Sequence, residues 1–262
     1  MNIFGIVNVT PDSFSDRGLY HSAQTAIDHA LRLEDEGAAV LDIGGESTRP
    51  GASPVTVEEE RRRVLPVIEG LTGRVEAEIS IDTCKPDVAA DAVAAGASLW
   101  NDVTALRYSA DSVATAALLG CKVALMHMQG DPASMQQKPS YIDVVSEVKT
   151  FLSQRMAACE GAGIPRSRII ADPGIGFGKT LDHNLALMRD LEVFQSLGAG
   201  GLLLGASRKR FIAALDRDGP AEERLGGSLA AALRAAEAGF THVRVHDVAA
   251  TRQAVAVAKR IR

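Results

Sequence analysis

The sequence predicts an α/β chain folded as a (β/α)8 TIM barrel, a single domain spanning 1–262. Three observations carry that prediction. Eight short apolar runs recur along the chain, and almost every one ends in a polar or ionisable residue. A helix-like stretch follows each run, and strict strand–helix alternation implies parallel strands joined by right-handed crossovers. The length of 262 residues fits a barrel, which typically needs about 250. No linker or break in composition divides the chain.

The predicted strands are NIFGIVN (2–8), AVLDIGGE (39–46), EISID (78–82), SLWND (98–102), KVALMH (122–127), RIIAD (168–172), GLLLGAS (201–207) and HVRVHD (242–247). Between the first two, Ser22 is a candidate N-cap for a helix carrying Ala26, Ile27, Ala30, Leu31 and Leu33, with Gly37 ending it. Thr56 and Glu59 have the spacing of a capping box ahead of Val64, Leu65, Val67, Ile68 and Leu71. The stretches 85–95, 111–119, 141–162, 181–197, 229–238 and 248–261 show the same helical periodicity.

Loop lengths indicate the working end. Helix-to-strand turns are short, as in 36–38 and 95–97, whereas the strand-to-helix loops 9–21, 44–55 and 128–140 are long. Barrel enzymes build their sites from loops at the carboxyl ends of the strands. Alternation points the same way: Arg244 and His246 oppose Val243 and Val245, and Ser80 and Asp82 oppose Ile79 and Ile81. One inward Asp can be structural. Two, with Asn, Arg, His and Lys at the same end, require a ligand or a network to pair them.

Composition excludes other classes. The net charge of −5 provides no basic field for nucleic acid or anionic lipid. No apolar run approaches the roughly 20 residues of a membrane span. The chain opens directly on a strand, so no signal peptide is expected and the location is read as cytoplasmic. Cys84, Cys121 and Cys159 lack metal-ligand spacing and read as small buried hydrophobes in a reducing cytosol. DPGIGFGKT (172–180) fails as a P-loop because Pro173 stands where glycine is needed, and its G-x-G-x-G spacing fails the dinucleotide fingerprint. Its glycines are instead expected to let backbone approach a flat ligand held by Asp172. GGSLA (226–230) is no nucleophile elbow, and His127, His242 and His246 have no zinc-like spacing.

Three segments carry chemistry. NVTPDSFSD (8–16) is a polar turn-rich loop with an Asp on each side of Phe14, although Pro-Asp-Ser is also ordinary turn chemistry. GGESTRPG (44–51) combines glycines, two hydroxyls and Arg49, which suits closure over an anionic or aromatic ligand. SRKR (207–210) follows the seventh strand, where such barrels favour phosphate sites.

Taken in order, NVTPDSFSD, LDIGGESTRPGA, SIDT, NDV, HMQG, DPGIGFGK, SRK, GGSLAA and RVHDV resemble the dihydropteroate synthases over essentially the whole chain. The resemblance implies condensation of 6-hydroxymethyl-7,8-dihydropterin diphosphate with 4-aminobenzoate, giving 7,8-dihydropteroate and pyrophosphate. It implies a pterin pocket of Asp82, Asn101, Met126, Asp172, Phe177 and Lys209. It places Thr48, Arg49, Arg244 and His246 on the diphosphate, and Phe14, Pro50 and Ser207 near the aminobenzoate. Asp82, Lys209, Arg244 and His246 are the implied catalytic groups, and Asn8 the position that helps hold Mg2+. Asp42 matches a retained position without a clear role. A homodimer through the later barrel helices is likewise implied, as is competition by sulfonamides for the aminobenzoate site.

The chain departs from the family pattern at Arg17, where glycine is usual, and at Cys84, where a bulkier or hydroxylated residue is common. Arg17 is expected to face solvent, with the aminobenzoate carboxylate as its alternative partner. Rival readings are a methyltetrahydrofolate:corrinoid methyltransferase, which needs no diphosphate site; a Schiff-base lyase using Lys209; and a non-catalytic pterin-binding homologue.

Overall fold

A computed structural model describes residues 1–10, 19–48, 53–131 and 134–261; Phe14, Arg17, Arg49 and Pro50 lie outside them. Eight strands form a closed parallel barrel in sequence order: β1 (Asn2–Asn8), β2 (Val40–Gly44), β3 (Glu78–Asp82), β4 (Leu99–Asp102), β5 (Lys122–Met126), β6 (Ile169–Asp172), β7 (Gly201–Leu204) and β8 (His242–Val245). Closure comes from β8 pairing with β1, with Phe4 opposite Arg244. The described helices are α1 (Leu19–Asp35), α2 (Val57–Leu71), α3 (Pro86–Ala95), α4 (Ser112–Leu119), α5 (Val144–Gly161), α6 (Leu181–Arg189), α7 (Arg210–Leu215), α8 (Leu225–Glu237) and α9 (Val248–Ala258).

Several boundaries differ from the sequence expectation. Helix α1 begins at Leu19, which leaves Ser22 inside its first turn instead of at the N-cap. Nothing from Leu19 to Ser22 breaks a helix, so the helix includes them. Only half of the capping box at α2 forms. The Thr56 hydroxyl accepts the Glu59 N–H, while the Glu59 carboxylate turns to Arg62 and Arg63. The stretch 181–197 divides at Asp190, where α6 gives way to a 3-10 turn, Leu191–Leu197. Its three-residue repeat buries Leu191, Phe194 and Leu197 on one side. Helix α7 was not anticipated because six residues are too few to show a period. Glu46, His127, Ser207 and His246 lie one to three residues beyond their strands, in the loops.

Alternation along the strands sorts the core. Ile3, Val7, Leu41, Ile43, Ile81, Trp100 and Leu125 join the main core outside the barrel, where the helices pack. Phe4, Val40, Leu99, Ala124, Ile170 and Leu203 form a separate apolar plug. Two residues further along the same faces stand Asp42, Asn101, Met126, Asp172 and Gly205. The plug therefore fills the barrel beneath a polar floor. Cys121 and Cys159 are buried free thiols, and Cys84 is partly buried. Burial pushes Cys84 up to about 12 and Cys159 up to about 11, so both remain thiols.

Candidate active site

Arg244 organises the floor. Its Nε donates to Asp42 Oδ2 at 2.5 Å and its Nη2 to Asp82 Oδ2 at 2.7 Å. Asp42, fully buried, also accepts from Ser80 Oγ at 2.6 Å and from Asn101 Nδ2 at 3.2 Å. Asp42 thereby acquires the role that sequence reasoning left unclear: it orients Arg244 and Asn101 together. Burial works against the Arg244 charge, but Asp42 and Asp82 outweigh it and raise the guanidinium's pKa. Asp82 is pushed up to about 7, chiefly by burial; Arg244 pulls it down and Asp42 repels it.

A second group converges across β6, β7 and β8. A Cβ on Gly205 would stand 3.6 Å from Asp172 Oδ2 and 3.9 Å from both Lys209 Nζ and Arg244 Cβ. Asp172 Oδ1 accepts the Gly174 N–H at 2.7 Å. The Lys209 ammonium donates to Ile175 O and lies 4.5 Å from the centroid of the Phe177 ring, a cation–π contact. Burial lowers Lys209 to about 8 despite the neighbouring Asp172. Burial also raises Asp172, against the pull of Lys209 and the Gly174 N–H. Met126 and Phe177 share an apolar cluster with Val103, Met128 and Met135, detached from the main core. The site has an apolar wall on one side and a charged floor on the other.

The glycine loop after β6 packs closely against the protein itself. Gly174, Gly176 and Gly178 all have positive φ, at +68°, +83° and +61°. A Cβ at Gly174 would collide with His127 O, and one at Gly178 with Gln129 O. Gly174 and Gly178 thus bring the loop onto the backbone that follows β5, while a Cβ at Gly176 would stand 3.1 Å from Lys209 Cδ. Lys179, missed by sequence reasoning, pins the arrangement. Its Nζ donates to the carbonyls of Gly174 at 2.8 Å and Phe177 at 3.0 Å, and contacts His127 Nδ1 at 2.9 Å. Burial holds His127 down to about 3, so its neutral ring can accept that bond. Lys179 therefore binds its own loop and does not act as a phosphate lysine. Gly174→Ala is expected to lose more than about 1–2 kcal/mol of stability in urea unfolding, because left-handed strain adds to the collision.

The run 207–210 is split by function. Arg208, with φ +57°, forms a bidentate pair with Asp247 at 3.0 and 2.6 Å. Its charge is thus engaged by Asp247, whereas Lys209 stands beside Asp172. Ser207 Oγ and His246 Nδ1 lie 3.0 Å apart. Two residues assigned by resemblance to different substrates are thus in direct contact. Asn8, at the end of β1, shares its strand face with Phe4 and Ile6, and Thr48 is partly buried in the loop after β2. Phe14, Arg49 and Pro50 fall outside the described residues. Among the described residues, no group of three or more His, Cys, Asp or Glu could hold a metal ion.

A closed parallel barrel with buried carboxylates, an arginine and a lysine converging at the carboxyl ends of its strands defines an enzyme of the barrel class. The chain matches the family described as pterin binding enzyme over residues 4–246. The dihydropteroate synthase of Escherichia coli (strain K12) is 46% identical over 256 residues, covering 98% of this chain and 90% of that protein. The dihydropteroate synthase of Neisseria meningitidis serogroup B is 49% identical over 259 residues, 97% of this chain and 90% of the relative. The solved Xanthomonas albilineans dihydropteroate synthase with 4-aminobenzoic acid matches with a TM-score of 0.93 at 49% identity, covering 99% of this chain and 92% of that one. The same enzyme in complex with 7,8-dihydropteroate matches with a TM-score of 0.90 at 46% identity, covering 99% and 93%. The chain belongs to the pterin-binding enzymes and, among them, to the dihydropteroate synthases.

Proposed function

We propose that the chain joins the exocyclic methylene of 6-hydroxymethyl-7,8-dihydropterin diphosphate to the amino nitrogen of 4-aminobenzoate. The C–O bond to diphosphate breaks, a C–N bond forms, the amine loses a proton, and pyrophosphate and 7,8-dihydropteroate leave. The observation that carries this reading is the convergence of Asp172, Lys209 and Arg244 around Gly205, beside the Met126–Phe177 wall.

A pterin presents an amino group and ring N–H donors on one edge, which Asp172 suits as a paired acceptor. Lys209 and Asn101 suit the carbonyl and N5 acceptors of the other edge, with Met126 and Phe177 against the ring faces. Departure of diphosphate develops positive charge on the methylene and negative charge on the leaving group. We assign Asp82 to the first, and Thr48, Arg49, Arg244 and His246 to the second. Arg244 uses two of its five N–H donors on Asp42 and Asp82, which leaves donors for a phosphate. The aminobenzoate nitrogen is already nucleophilic, so Phe14, Pro50 and Ser207 have only to position it.

Mg2+ is proposed as the cofactor, and it would neutralise charge on the diphosphate when bound. Asn8, at the carboxyl end of β1, would offer it one amide oxygen, the remaining ligands being waters and diphosphate oxygens, which Mg2+ usually retains. No helix among the described residues is long and apolar enough to cross a membrane. A cytoplasmic location and a homodimer through the later barrel helices complete the proposal.

The test mixes protein, Mg2+, dihydropterin diphosphate and 4-aminobenzoate and measures pyrophosphate and dihydropteroate. No turnover by folded protein would overturn the reading; methyl transfer to a corrinoid protein would replace it. The pH profile is a sharper check. Asp82 acts ionised and Lys209 protonated, so kcat/KM is expected to rise as pH passes about 7 and to fall as it passes about 8. A profile flat from about pH 6 to 9 would contradict those roles.

A further inference from the structure

The loop after β2 is tied at its base by a largely buried ion triad that lies outside the residues assigned to either substrate. Glu46 bridges the loop's two ends. Its Oε1 accepts the Val55 N–H at 2.9 Å, and its Oε2 accepts from Lys85 Nζ at 2.5 Å. Lys85 is 4% exposed, sits at the start of α3, and also donates to Glu60 Oε2 on α2 at 2.6 Å. Glu60 itself is fully buried. Arg63, also on α2, donates to Gly45 O at 2.8 Å, and a Cβ on Gly45 would stand 2.8 Å from Val64 Cγ1. Both ends of the segment 46–55 are thus referred to one ammonium held between two helices.

We propose that Glu46 and Lys85 are positioning residues: they set the base of this loop so that Thr48 meets the diphosphate. The proposal rests on the synthase reading for what the loop delivers. The physical argument is local. An ammonium shared by a buried and a partly buried carboxylate is rigid while complete; removing the Glu46 charge leaves Lys85 paired with Glu60 alone and unties the loop from it. A fixed loop base matters because misplacement by about 1 Å can cost on the order of 10²-fold in rate.

Glu46→Gln keeps the side-chain shape and an oxygen for Val55 while removing the charge facing Lys85. It is expected to lower kcat/KM about 10- to 100-fold and to raise KM for the diphosphate substrate. Its affinity for free pterin, measured by calorimetry, is expected to stay within about twofold, because that pocket stands on β3, β4 and β6. Glu34→Gln is the structural control. Glu34 Oε1 clasps the N–H groups of Glu76 and Ala77 at 2.7 and 2.8 Å, just before β3 at the opposite end of the barrel. Both variants are expected to lose thermal stability, but only Glu46→Gln to move KM. Hydrogen exchange at the Val55 amide, which does not depend on turnover, is expected to rise in Glu46→Gln and not in Glu34→Gln. Unchanged KM and exchange in Glu46→Gln, or a parallel loss of pterin affinity, would overturn the proposal. Lack of turnover in the unmodified protein would instead overturn the synthase reading and leave the exchange test standing.

Discussion

Asp172→Asn is expected to weaken binding of a free pterin by about 10²-fold or more in titration calorimetry. Hydrogen bonds to a charged group contribute roughly 1.5–3 kcal/mol each, and the proposed pterin edge makes two with this carboxylate. The amide has one acceptor where the carboxylate has two, and its NH2 would oppose a pterin N–H. It also removes the negative charge beside Lys209, whose ammonium burial already disfavours. The basic limb of the pH profile is therefore expected to move to lower pH in this variant. An unchanged pterin affinity would remove Asp172 from the pocket.

Arg244→Met tests a residue whose structural and functional roles coincide. Asp42 is fully buried and Asp82 partly so, and both bond to this one guanidinium. Breaking a buried pair by removing one partner typically costs about 3–5 kcal/mol, and a loss of that order is expected in denaturant unfolding. The sign of its pH dependence follows from the raised Asp82. A carboxyl whose folded pKa lies above its unfolded value, about 4, contributes stability fully below that value. The contribution is lost as pH rises through the folded pKa, which is about 7 with Arg244 in place. Without the guanidinium that folded pKa moves higher still, because Arg244 is what pulls it down. The stability gap between Arg244→Met and the unmodified protein is therefore expected to be smaller near pH 5 than near pH 8. The variant is also expected to lose affinity for dihydropterin diphosphate more than for free pterin. An unchanged ratio of the two affinities would refute the diphosphate role.

Much of this site was legible along the chain. The alternation of Ser80 and Asp82 against Ile79 and Ile81, and of Arg244 against Val243 and Val245, placed the polar groups on one barrel face, and the structure has them there. Strand ends were less legible. An apolar run that continues into a loop, as in GLLLGAS, looks the same whether or not its last residues pair, and β7 stops at Leu204. The 3-10 turn at Leu191–Leu197 and the short α7 escaped for a related reason: a period cannot be read from six or seven residues.

What the sequence by itself determined was the barrel, its working end and the set of polar residues gathered there, because strand alternation and loop length are properties of neighbouring positions. Which polar group pairs with which was decided only by the tertiary structure. Asp42 and Arg244 are 202 positions apart, Asp82 and Arg244 162, and Lys85 and Glu46 39. No local pattern encodes such pairings; Asp42 and Asp82 meet Arg244 inside the closed barrel, and Lys85 meets Glu46 between the segments that follow β3 and β2, so that opposite charges compensate one another. Arg208 turns toward Asp247 in the loop after β8, Lys179 binds carbonyls of its own loop, and Lys209 stands beside Asp172. Three basic residues alike in sequence were given three different tasks, because each met a different partner in the folded barrel.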